Sequence, residues 1–146
     1  MTTAFRSIYR FWAGLLFVAV VVQIGAAGYG AFAADHKADK LHAVTHKQFD
    51  HGFGPHIALG YLLFLGSLLL FLFALAARLG RRRVLSVLGA PLLVLVAIVL
   101  AIAGGNVPAV GILHPIVGFL IVGLLGYLAH QAWTGAAATG RANSAS

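Results

Sequence analysis

Two histidines stand in matching contexts far apart in the chain. His56 opens His-Ile-Ala-Leu-Gly-Tyr and His114 opens His-Pro-Ile-Val-Gly-Phe. Each is followed four residues later by a glycine, Gly60 or Gly118, and then by an aromatic residue. Both lie at the edge of long apolar runs, where an imidazole is costly unless it has a partner. Two imidazoles on facing helices suit a shared metal, and in a helical bundle that metal is typically a heme iron. Glycine one helical turn from each ring leaves room for the edge of a flat macrocycle. Small residues also let membrane helices pack closely, which is the plainer use of the same pattern.

A second histidine group falls in the polar stretch 34–55. It comprises His36, His42, His46 and His51. The spacing of four puts His42 and His46 on one helix face, which suits zinc or copper. Asp39, Asp50 and His51 are available as further ligands, but the spacing selects none of them. His130 sits beside Gln131 near Trp133 and reads as an interfacial residue.

These side chains need elements to hold them. The chain has 146 residues, 61% hydrophobic and only 9% charged, which points to an integral membrane protein rather than a soluble domain. It has no cysteine and no glutamate, so disulfides, iron–sulfur clusters and thiolate metal sites are excluded. The only acids are Asp35, Asp39 and Asp50. No carboxylate lies within a span, so neither a proton relay nor an enzymatic acid–base pair is expected, and no catalytic residue is assigned. The net charge of +7 is spread between apolar runs and forms no basic face, which argues against nucleic acid as a partner.

A membrane crossing takes about 20 apolar residues. Four runs qualify, over about 11–33, 56–77, 84–103 and 109–133. The expected fold is all-α, an up-down four-helix bundle spanning residues 1–133, with an outer loop at 34–55 and a disordered cytoplasmic tail at 134–146. Arg6, Arg10, Arg78, Arg81, Arg82, Arg83 and Arg141 all fall on one side of this arrangement. The positive-inside rule puts that side, with both termini, in the cytoplasm of a bacterial inner membrane. Trp12 and Trp133 fall at the same interface. The N-terminal segment also has the pattern of a secretory signal ending near Ala31-Phe32-Ala33, but its apolar run is long for one, and retention is expected.

In an up-down bundle the second and fourth spans stand diagonally opposite, and this places His56 and His114 at similar depth near the outer face. Asp50, Thr45 and Asn106 are the nearest candidates to hydrogen-bond the rings, and Asn106 is also placed to cap the fourth span. Pro55 suits the first turn of the second span, and Pro115 either starts the regular part of the fourth or kinks it.

The chain resembles one half of the heme A synthase family, which is built of two tandem four-helix bundles with a histidine on the second and fourth helices of each. His56 and His114 carry the resemblance. The chain also looks like a small uncharacterised four-span family of GC-rich bacteria, with a Leu113-His114-Pro115 element. The resemblance implies a heme-binding bundle. It does not extend to the synthase reaction, because that family is thought to use a membrane-embedded glutamate and this chain has none. Three functions are therefore open. One is a b-type heme protein for electron transfer or heme holding, working with a membrane redox partner. Another is a cofactor-free subunit of a larger membrane complex. The third is a metal binder using His42 and His46 on a membrane anchor.

Overall fold

A computed structural model describes residues 2–41 and 44–144, with side chains described over 3–40 and 44–135. Among the described residues the order is α1 (Thr2–Leu41), α2 (His46–Ala76), α3 (Arg81–Asn106), the single turn α4 (Pro108–Gly111) and α5 (Leu113–Ser144). Four of these helices are long and apolar enough to cross a membrane. Phe11, Phe32, Ile102 and Phe119 are more than half exposed, on a surface far too apolar for water but suited to lipid tails.

The helices close as a ring. α1 packs on α2 and α5, and α3 packs on α2 and α5, while among the described residues α1–α3 and α2–α5 have no close backbone approach. The second and fourth long helices are therefore diagonal, as the sequence predicts. The best-shielded core lies toward the arginine-bearing end, where Ser67, Leu70, Val87, Leu125 and Leu128 are fully buried. Between helices immersed in lipid, such packing works through close van der Waals contact and a few polar ties. Ser67 satisfies its hydroxyl by donating to the Phe64 carbonyl at 2.7 Å. Trp12 turns inward and donates its indole N–H to the Gly66 carbonyl at 2.8 Å, instead of reaching for headgroups. Trp133 does lie at the end of the bundle, edge-on to Phe11 and 4.8 Å from the Arg10 guanidinium.

The α2–α3 turn is a helix-capping motif with an unusual residue. Leu79 N–H donates to the Ala74 carbonyl and Arg78 N–H to that of Leu75. This pairing requires a left-handed residue between them, and Arg78 takes that place at φ 50° where glycine is usual.

The polar stretch differs from expectation. Instead of an outer loop over 34–55, α1 runs on to Leu41 and α2 begins at His46, ten residues before the expected start of the second span. Thr45 starts α2 with a reciprocal cap: Gln48 N–H donates to the Thr45 hydroxyl, and Thr45 N–H to the Gln48 side chain. Pro55 therefore lies inside the helix rather than at its first turn. α1 and α2 form a hairpin whose backbones meet closely at Gly52, where an added Cβ would sit 3.4 Å from the Gly30 carbonyl oxygen. At the other extreme α5 continues to Ser144. The alanines at 136–138 favour helix.

Candidate functional site

His56 is carried on α2, well past its start, and His114 on the first turn of α5. The rings nevertheless meet. Their centroids are 6.0 Å apart and their planes cross at 73°. For this to happen, α2 must extend about 14 Å further than α5 at this end, at 1.5 Å per residue. A break at Ile112 sets the position of His114. α4 folds back on the end of α3, and a Cβ at Gly104 would lie 2.6 Å from the Gly111 Cα, so the two backbones touch. Pro115 falls in the first turn of α5, where a missing N–H leaves no helical bond unmade.

Each imidazole is tied to a neighbouring helix through Nδ1. His56 Nδ1 lies 3.2 Å from the Gln23 carbonyl oxygen on α1, and His114 Nδ1 lies 2.8 Å from that of Ala97 on α3. A carbonyl can only accept, so Nδ1 must be the protonated nitrogen in both rings. In the neutral ring this leaves Nε2 with its lone pair, the form in which imidazole binds a metal. Hydrogen bonding of the second ring nitrogen to a backbone carbonyl is the usual support for a metal-bound histidine. The expected partners Asp50, Thr45 and Asn106 do not serve here. Thr45 caps α2, and the Asn106 amide donates back to the Ile102 carbonyl at the end of α3 rather than capping the fourth span.

The rings border a cavity of about 600 Å³ between the four long helices, a size within the usual range for small-molecule sites. His56, His114, Gly60 and Gly118 all line it. The glycines play different parts. A Cβ on Gly118 would meet nothing within 4 Å, so this residue leaves space free. A Cβ on Gly60 would come within 3.2 Å of Gln23 Nε2, so Gly60 makes room for that amide. The facing walls carry the small side chains Ala27 on α1 and Ala97 and Ala101 on α3. Phe53 stands edge-on to His56 at 6.1 Å and stacks on Phe49 at 4.5 Å. Its ring is seated against Gly30, where an added Cβ would fall 2.7 Å from it.

Gln23 is the residue that sequence reasoning undervalued. Its side-chain amide nitrogen donates to the His56 carbonyl at 2.9 Å, while its backbone carbonyl accepts from the His56 ring. The available signal was a lone amide in an otherwise apolar first span.

The second histidine group is only partly among the described residues. His46 is the exposed first residue of α2, and His42 lies outside the described residues. Among the described residues, no three histidine or carboxylate side chains converge as a metal site. His130 is exposed on α5. No protein-family model, curated protein or solved structure matches the chain.

Proposed function

We propose that this chain is a small membrane protein that holds a b-type heme between His56 and His114. The observation that carries the reading is the geometry of the two rings. Metal–imidazole bonds are about 2.0 Å long and Nε2 lies about 1.1 Å from the ring centre, so two rings gripping one ion from opposite sides have centroids about 6 Å apart. The observed separation is 6.0 Å. Rings that share an axial line can cross at any angle, so 73° is compatible with that role. The protonated Nδ1 atoms, the apolar cavity and the small residues on the facing helices all support it.

The residues present fit the group. His56 and His114 would supply both axial nitrogens. Gly118, Ala27 and Ala101, which line the same cavity, would leave room for the group. With both axial positions taken by imidazole, the bound group would exchange electrons rather than activate oxygen. The chain's own residues orient the rings through the Gln23 and Ala97 backbone carbonyls and surround them with a largely apolar wall. By the positive-inside rule, the arginine end faces the cytoplasm and the histidine end the outer side of a bacterial inner membrane. A membrane redox partner would complete the role.

The same two ring–carbonyl bonds also support a second reading. They join α1 to α2 and α3 to α5, as polar ties do in cofactor-free membrane bundles. In that case the chain is a structural subunit of a larger membrane complex.

Absorption spectra separate the two. The protein is expressed with excess heme, purified in mild detergent and recorded oxidised and dithionite-reduced. The heme reading expects a low-spin b-type spectrum that is lost in both His56→Ala and His114→Ala. A colourless protein removes it and leaves the structural subunit.

A further inference from the structure

Gln23 has one polar atom whose purpose neither ring accounts for. Its Oε1 is buried and, among the described residues, has no hydrogen-bond partner, although the residue lines the cavity beside the two imidazoles. Buried amide oxygens are seldom left without a donor, so an unpartnered one on a residue that lines a cavity calls for a donor that the described residues do not supply. Rotating the amide does not remove the problem. Nε2 donates to the His56 carbonyl at 2.9 Å, and a flip would set oxygen against oxygen there. The absence of a side chain at Gly60 admits the amide in this orientation. The bond to His56 and the room left at Gly60 thus fix the Gln23 amide with its oxygen unpartnered.

We propose that Gln23 is a ligand-binding residue of the cavity, whose amide oxygen accepts a hydrogen bond from an O–H group held beside the imidazole pair. The surrounding wall is otherwise dominated by aliphatic and aromatic side chains, so Gln23 supplies a directional contact that a purely apolar slot lacks. The O–H has two sources. One is an ordered water belonging to the protein itself. The other is a hydroxyl or carboxylic acid carried by the bound group. The second source rests on the heme reading, and the first does not.

Infrared spectroscopy of the full-length protein distinguishes them. Gln48 and Gln131 are replaced by glutamate, leaving Gln23 as the only glutamine, and glutamine is labelled with ¹³C at the side-chain carbonyl. As an independent route, subtracting the spectrum of labelled Gln23→Met from that of the labelled native sequence isolates the same band. A carbonyl that accepts a hydrogen bond absorbs at lower frequency than a free one. A lowered band in protein prepared without heme, shifting on exchange into D₂O, assigns the donor to water. A band that is free without heme and lowered after hemin is added assigns it to the bound group. A band at the free position in both preparations overturns the proposal. If hemin produces no b-type spectrum while the water-bonded band is present, the heme reading falls and the Gln23 site stands.

Discussion

The two ends of the bundle use the same four helices differently. Toward the arginine end, Leu70, Val87, Leu125 and Leu128 are fully shielded by their neighbours, and Ser67 bonds within its own helix. Toward the histidine end, the helices stand around about 600 Å³ of space, and the polar groups reach across from one helix to the next. At the packed end aliphatic side chains fill the interior, and the Trp12 and Arg6 side chains add donors to the Gly66 and Ala77 carbonyls. An open interior with two oriented imidazoles contributes less to packing and is suited to holding something. The contrast puts the tightest packing at one end and the open, polar-tied space at the other.

That division can be broken by substitution. The largest expected effect on stability is at the packed end. Leu128→Ala should lower the unfolding free energy by about 2–5 kcal/mol, as large-to-small changes in a filled core do. Reversible denaturation in mixed micelles measures it, and a loss near zero would show that this end is not the core. Gly30→Ala comes next, because its Cβ would collide with the Phe53 ring and force it to move. The expected cost is about 1–3 kcal/mol, typical of overpacking, together with altered hemin binding because Phe53 touches His56. An unchanged melting profile would mean the Phe53 ring has freedom to move aside.

Gly118→Leu sharpens the comparison most. Its side chain would enter free space, so stability should hold while hemin affinity falls roughly tenfold or more, about 1.4 kcal/mol. Equal affinity in both proteins would place the ligand elsewhere. The smallest effect is expected at Phe119, which is 71% exposed at the cavity margin. Phe119→Ala should change stability by less than about 0.5 kcal/mol, as surface substitutions generally do.

Much of this architecture is written openly in the chain. Long apolar runs give the four membrane-length helices, and up-down connectivity places the second and fourth on a diagonal. His56 and His114 were visible as a pair because their contexts match. Their supports were not, since the acceptors are backbone carbonyls of Gln23 and Ala97, which any residue could provide. Side chains near in sequence drew attention instead, and Thr45 and Asn106 proved to be occupied in capping. The start of α2 was misplaced for a different reason. Thr45 with Gln48 three residues later is a helix-start signature, but it sits in a polar stretch that reads as a loop, and Pro55 marked a more conspicuous boundary. Gln23 could not be ranked above other isolated polar residues until Gly60 was seen to admit its amide.

The central claim is that both imidazoles bind one iron at the same time. Electron paramagnetic resonance of the ferric, heme-loaded protein tests it most directly. The native sequence should give a low-spin signal, His56→Ala and His114→Ala should each give a high-spin one, and added imidazole should restore the low-spin form. An identical low-spin signal in all three proteins would show that these rings are not the pair that holds the iron.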